Sequence, residues 1–262
     1  MPDSNPASAA DPQVEPARAS RVRRETLEIV QSLAGAIVIA LVLRVGLFEP
    51  FTIPSSSMEP GLVTGDYIVV SKFAYGWSRA SFPFNPPLFK GRHLGPGPKR
   101  GDVVVFRLPR DPKATWVKRV VGLPGDRVQV LRGTVFVNGK PLNRTPLNWV
   151  QDHDDPTRTV LRMRETQLNG RQYVTYGGDA DHEGDNTGVY VVPAGTYFMM
   201  GDNRDNSLDS RWPGDLGVGF LPAENIVGRA EFILVSWRAD SALLKPWTWF
   251  NLQTDRLFHV IR

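Results

Sequence analysis

The sequence predicts a mainly β protein: an antiparallel β-sheet core with an inserted smaller β-domain, preceded by one N-terminal transmembrane helix. Three observations predict it. One apolar run, residues 27–48, matches the ~20 residues that a helix needs to cross a bilayer core. Short β-branched and aromatic runs then recur between turn-forming Gly, Pro and Asn-Gly positions. No long amphipathic helical pattern interrupts them, which argues against a doubly wound α/β fold. The division that follows is 1–26 as a cytoplasmic disordered tail, 27–48 as the anchor, 49–139 with 193–262 as the main β-domain and 140–192 as an inserted β-subdomain.

Residues 1–20 are rich in Pro, Ala, Ser and Asp and hold too little apolar surface for a core, so they read as disordered. Arg18, Arg21, Arg23 and Arg24 precede the apolar run and Arg44 sits near its far end, where its stem can snorkel. The positive-inside rule then places the N-terminus in the cytoplasm and the rest of the chain on the other side. A cleaved secretory signal is the rival reading, but its apolar region spans only ~7–15 residues before small residues. Here the run is longer and ends in bulky Leu47-Phe48-Glu49-Pro50.

Strands are predicted at 67–70, 103–106, 116–121, 128–131 and 134–137, with Asn138-Gly139 supplying a hairpin turn, and again at 197–200 and 226–237. From about residue 76 to 100, Pro83, Pro86, Pro87, Pro96 and Pro98 oppose strand structure while Trp77, Phe82, Phe84, Leu88 and Phe89 add apolar bulk. That segment either packs on the domain as a loop or dips into the lipid interface. The insertion is acidic, with Asp152, Asp154, Asp155, Asp179, Asp181, Glu183 and Asp185. It lacks the regular ligand spacing of a calcium loop, so a solvated loop is expected and no metal is assigned.

The formal charge of +4 comes from scattered basic residues, without a recognition helix or an aromatic RNA-binding signature. No nucleic-acid partner is expected; a mildly basic surface facing anionic lipid is the simpler reading. The chain has no cysteine, which excludes disulfides, thiol catalysis and thiolate metal sites. No cofactor is predicted.

Four segments carry the chemistry. Glu49-Pro50-Phe51-Thr52-Ile53-Pro54-Ser55-Ser56-Ser57-Met58-Glu59-Pro60 sets a serine turn between prolines just beyond the apolar run. Gly101-Asp102-Val103-Val104-Val105-Phe106 and Trp116-Val117-Lys118-Arg119-Val120-Val121 are strands, the second carrying a lysine. Gly201-Asp202-Asn203-Arg204-Asp205-Asn206-Ser207-Leu208-Asp209-Ser210-Arg211 is too polar for a core. Serine clusters usually mean turns, and a strand lysine is usually a solvated edge charge. Amide hydrolysis by a serine, however, needs a base, an acid for the leaving amine and oxyanion donors. His93, His153, His182 and His259 all lie outside the four segments. Lysine can serve as base when neutral, and burial lowers its pKa of ~10.4 by up to ~3–5 units. Alternation puts Lys118 on one face with Trp116 and Val120 and turns Arg119 the other way, where it is expected to stay solvated.

In this order, and over roughly residues 27–75, 100–140 and 196–236, the chain resembles bacterial type I signal peptidases (leader peptidases), the Ser-Lys dyad serine proteases of family S26. The resemblance implies a membrane-bound serine endopeptidase that removes signal peptides from exported preproteins after an Ala-x-Ala-like site. It makes Ser57 the nucleophile and Lys118 the general base. Ser55, with the Ser57 backbone N–H, matches the oxyanion hole, and Ser207 the serine that orients the lysine. Asp209 and Arg211 match a supporting ion pair, and Asp102 a scaffold turn. Phe51, Ile53, Pro54, Met58, Leu62, Ile68, Val105, Trp116 and Val117 match shallow apolar substrate pockets. The implied partners are signal peptides of preproteins, membrane lipid and, in proximity, the secretion translocon. The implied location is the bacterial inner membrane, single-pass, with the catalytic domain on the periplasmic side. Gly61 stands where threonine is common, Ser56 where glycine is frequent, and the turn at 212–217 is longer than usual. Two other readings stay open: a Ser-Lys self-cleaving protease, and a non-catalytic membrane-tethered β-domain that binds peptide or calcium.

Overall fold

A computed structural model describes residues 14–83, 85–87, 90–153, 155–177, 182–238, 241, 246–248 and 250–261. Residues 1–13 of the tail, Phe84, Leu88 and Phe89 of the proline-rich loop, and Asp154, Asp179 and Asp181 of the insertion lie outside the described residues. The chain divides into two units, Met1–Arg44 and Val45–Arg262.

The first unit is the greater part of one helix, Val14–Gly46, whose segment Arg21–Arg44 is long and apolar enough to cross a membrane. The helix starts well before residue 27. Residues 14–26, expected as disordered tail, are helical because Ala and Arg there are good helix formers and the Arg21–Glu25 and Arg24–Glu28 pairs close successive turns at 3.0 and 3.1 Å. Phe48, expected at the end of the span, instead opens the strand Phe48–Thr52.

The second unit is built on an eight-stranded antiparallel sheet in the order Phe48–Thr52, Asp66–Ser71, Ile226–Ser236, Val103–Leu108, Asp111–Gly122, Thr196–Met200 and Phe220–Pro222, with His259–Val260 also paired to Ile226–Ser236. Its central strands are continuous apolar runs because both faces are covered. The two-residue period then sorts them: Val103 and Val105 join Ile53, Met58, Leu62, Ile68 and Val70 in one cluster, while Val104 and Phe106 join Tyr75, Val120 and Met199 in another.

The expected boundary of the insertion is displaced. Arg127–Leu131 and Thr134–Val137, expected within the main β-domain, form a separate four-stranded sheet with Lys140–Pro141 and Tyr190–Val191. Two left-handed pairs explain why: Arg132 (φ 47°) with Gly133 (φ 70°) and Asn138 (φ 53°) with Gly139 (φ 77°) reverse the chain so tightly that Leu131 faces Thr134, Val137 faces Lys140 and the strands pair locally. Asn143–Gln151, Thr159–Thr166 and Gln172–Gly177 make a three-stranded antiparallel sheet. This sheet is stitched to the polar loop, with Tyr176 N–H donating to the Asp202 carbonyl and Arg204 N–H to the Tyr176 carbonyl, both at 2.8 Å. Part of the proline-rich segment packs on the domain: Ser78 and Ser81 hydroxyls donate to the Ile226 and Val227 carbonyls at 3.2 and 3.3 Å.

Candidate active site

The serine turn leaves the edge strand at Thr52, passes through Ser55 in extended conformation (φ −145°, ψ 155°) and tightens into a short 3-10 turn, Ser56–Met58. Its apolar residues anchor it, since Ile53, Met58 and Leu62 are buried in the core. Its backbone is held from the other side by the polar loop. Asn203 N–H donates to the Ser57 carbonyl at 3.2 Å, Asn203 Nδ2 to the Ser56 carbonyl at 3.3 Å, and Asn206 Nδ2 to Ser56 Oγ at 3.0 Å. Gly201 allows this approach: a Cβ there would lie 2.4 Å from the Ser57 carbonyl oxygen and 2.3 Å from Ser207 Oγ.

The strand Asp111–Gly122 brings Lys118 to this turn, with Nζ 2.6 Å from Ser57 Oγ. Lys118 is only 3% exposed and sits with its ammonium 5.4 Å from the Trp116 ring centroid. Burial pushes its pKa down from 10.5 to about 8; Asp209 and Asp202 pull it back up, and Arg211 adds to the lowering. The arrangement is a serine hydroxyl beside an amine that sheds its proton far more readily than a free lysine.

Ser55 Oγ lies 3.5 Å from Ser57 Oγ, beside the nucleophile candidate. Ser207 is buried near the same turn, but its hydroxyl makes no hydrogen bond among the described residues, so the expected bond to Lys118 is not formed. Packing against Gly201 holds it there instead. Asp209 and Arg211 form the expected ion pair, closed at 2.9 and 3.0 Å by two guanidinium nitrogens and buried throughout, and Asp209 also accepts the Gly201 N–H at 2.9 Å. Asp102 caps its turn by accepting the Lys99 N–H at 2.9 Å, and it accepts the Tyr75 hydroxyl at 2.7 Å and the Arg171 guanidinium. Burial, and then the Asp102 carboxylate, raises the Tyr75 pKa.

A cleft of ≈ 420 Å³ opens on Ser57 and Lys118. Phe51, Ile53, Pro54, Ile68, Val105, Trp116 and Val117 line it, together with Ser55. Met58 and Leu62 do not. Both are fully buried and face a different cleft, beside Gly61 and Arg119, because the 3-10 turn swings residues after Ser57 into the core. Thr52, Ser56, Thr115, Asn206 and Leu208 also line the Ser57 cleft and were not singled out from the sequence.

Arg119 departs furthest from expectation. It is buried, donating to Asp202 at 2.7 and 2.6 Å and to the Gly101 carbonyl at 2.8 Å, with the guanidinium 3.9 Å from the Tyr173 ring centroid. The strand Gln172–Gly177 supplies Tyr173 and so covers the face that alternation alone leaves open. Gly61 makes room for the pair: a Cβ there would stand 3.0 Å from Asp202 Oδ2. A second buried pair, Arg204 with Glu165 at 2.7 and 2.6 Å, lies behind it, with the Tyr173 hydroxyl donating to Glu165 at 2.6 Å.

Histidine does not take the base position among the described residues. His93 contacts the Lys90 carbonyl, His153 stands 3.5 Å from Glu59, and His182 Nδ1 accepts the Gly184 N–H. His182, Asp185 and Asp205 do bring ligand-type atoms within 4.8 Å of one another. Burial and the nearby Asp205 raise the Asp185 pKa, while Arg211 and Arg144 counter it and Arg158 stands 3.9 Å from Asp205. Guanidinium groups border this cluster without cancelling that rise, and no metal role is assigned to it.

The family described as signal peptidase, peptidase S26, matches residues 26–237. Signal peptidase I of Rickettsia typhi (strain ATCC VR-144 / Wilmington) is 40% identical over 246 residues, covering 87% of this chain and 90% of that protein. Signal peptidase I of Rickettsia canadensis (strain McKiel) is 37% identical over 258 residues, covering 91% and 95%. A crystal structure of a signal peptidase I from Enterococcus faecalis V583 is 25% identical and overlaps 50% of this chain and 95% of its own, with a TM-score of 0.30.

Proposed function

Since the chain belongs to the signal peptidase family, peptidase S26, and is therefore a peptide hydrolase that removes signal peptides as a serine protease, we propose that Ser57 is its nucleophile and Lys118 its general base. The observation that carries the proposal is the 2.6 Å contact between Ser57 Oγ and a buried Lys118 Nζ.

In this reading Lys118, neutral, takes the Ser57 proton as Oγ attacks the carbonyl of the last signal-peptide residue. The Ser57 N–H and the Ser55 hydroxyl donate to the oxyanion. The Lys118 ammonium then returns the proton to the leaving amine of the mature protein, whose C–N bond breaks. Water, activated by the same lysine, hydrolyses the acyl-Ser57 ester and regenerates both groups. The shallow cleft supports cleavage after small residues at −1 and −3, an Ala-x-Ala-like site, because Phe51, Ile53, Ile68, Val105 and Val117 leave apolar but limited space beside Ser57.

The apolar helix supports a single-pass anchor in the bacterial inner membrane, with the Arg-rich end cytoplasmic and the β unit extracytoplasmic. Few residues separate the end of that segment from Ser57, and membrane tethering raises the local concentration of an embedded signal peptide. Lipid contact and proximity to the translocon belong to this proposal. Family membership sets aside the non-catalytic module and the self-cleaving protease.

The test is incubation of the detergent-solubilised full chain with a synthetic preprotein, the cut being located by mass spectrometry. One cut after an Ala-x-Ala-like site, lost in both Ser57→Ala and Lys118→Ala, is expected. Cleavage persisting in either variant would falsify the dyad.

A further inference from the structure

Leu208 is half exposed, at 50%, in a loop that buries most of its side chains. From 205 to 209 the chain alternates. Ser207 and Asp209 point inward, Ser207 against Gly201 and Asp209 onto the Gly201 N–H and Arg211, while Asn206 and Leu208 are exposed. Both exposed side chains line the cleft that holds Ser57 and Lys118. Leu208 is held there firmly, since Trp212 Nε1 donates to the Ser207 carbonyl at 3.1 Å and the Asp209–Arg211 pair fixes the following residue.

The chemistry of the cut decides which part of a substrate this wall meets. The other apolar lining residues come from the strands Phe48–Thr52, Asp66–Ser71, Val103–Leu108 and Asp111–Gly122 and the start of the serine turn, and they suit the acyl side. The leaving amine must be reached by the lysine that holds the serine's proton, so the leaving group lies on the Lys118 flank. The polar loop borders that flank: its Asn206 and Leu208 line the cleft with Lys118, and its Asn203 and Asn206 bond the turn that carries Ser57.

Resting on the Ser57–Lys118 reading, we infer that Leu208 is a specificity-determining residue for the leaving side of the scissile bond, where its isobutyl group contacts the first or second residue of the mature protein. The enzyme then selects on both sides of the cut: small residues before it, and side chains compatible with an apolar ledge after it.

The experiment uses the full-length wild type, Leu208→Ala and Leu208→Asp in detergent. Two peptide libraries, one varied at +1 and +2 and one at −1 and −3, are read by mass spectrometry as relative kcat/KM. Leu208→Ala should change the ranking at +1 or +2 by roughly three- to tenfold, below the effect of an enclosed pocket because the contact is half open. Leu208→Asp should turn preference there from apolar toward basic side chains. Both variants should keep the wild-type ranking at −1 and −3. An unchanged +1/+2 ranking, or a change confined to −1 and −3, overturns the inference while leaving the dyad intact. A wild type that cleaves neither library overturns the dyad reading and this inference with it.

Discussion

If Lys118 is the base, cleavage must follow the population of its neutral form. Burial brings its pKa from 10.5 to about 8. At pH 7 roughly one molecule in ten then carries the neutral amine, against roughly three in ten thousand for an unperturbed lysine, a gain on the order of 300-fold. The same burial disfavours the folded protonated enzyme by about 3 kcal/mol. Because the folded pKa lies below the unfolded one, that penalty is complete below about 8 and is relieved as pH rises toward 10.5, so stability increases across this window. The assay is kcat/KM from pH 6 to 10, on the full chain in detergent, with a peptide that does not titrate in the range. Between pH 6 and 7 the rate should rise about tenfold, and it should level off above about 8. Lys118→Arg should be inactive, because guanidinium stays protonated. A profile flat from 6 to 9, a rise continuing unbroken past 10, or an active Lys118→Arg variant would refute the reasoning.

Other outcomes follow from the buried polar groups. Asp202→Asn leaves the Arg119 guanidinium buried without its counter-charge and should lower stability by about 3–5 kcal/mol in denaturant titration; a loss below ~1 kcal/mol would contradict the pairing. Ser207→Ala removes a hydroxyl that has no partner among the described residues, so stability should change by less than ~1 kcal/mol. If that hydroxyl turns to the lysine during turnover, the variant's kcat should drop at least about tenfold with KM unchanged, and an unaltered kcat rules out an orienting role.

The β architecture was legible because its strongest signals are local. The valine runs at 103–106 and 116–121 and the Asn138-Gly139 turn specify strands and a hairpin without reference to the rest of the chain. What such signals lack is the second layer. Alternation put Arg119 opposite Lys118, which is where it lies, but only the sheet at 143–177 supplies the Tyr173 ring that covers it. The pairing of Ser57 with Lys118 was an implication of the family resemblance that the four segments carry, joined to the need for a base. The roles of Asn203 and Asn206 were not, since asparagine in a polar loop normally signals solvation and turn formation. Met58 and Leu62 show the limit of carrying pocket residues over by position: one tight turn after Ser57 redirects both into the core. The unusual residues in the serine block have local causes. Ser56 offers Oγ to Asn206, and Gly61 leaves space for the Arg119–Asp202 pair.

Adjacent residues of one strand thus present opposite solutions to burying a cation. Arg119 cannot discharge, so it is matched by Asp202 in two hydrogen bonds and stays charged. Lys118 can discharge, and the carboxylate that would otherwise keep it protonated, Asp209, is committed to Arg211. The Asp209–Arg211 pair is then an electrostatic setting for the base as well as a support for the loop. Arg211→Gln should free Asp209 to hold the ammonium and move the midpoint of the pH–rate profile upward. Asp209→Asn should remove that attraction, leave Arg211 opposing the ammonium, and move the midpoint downward. Structural damage alone would lower kcat in both variants without displacing the two midpoints in opposite directions. Finding both midpoints within experimental error of the wild type would mean that the pair acts only as scaffold.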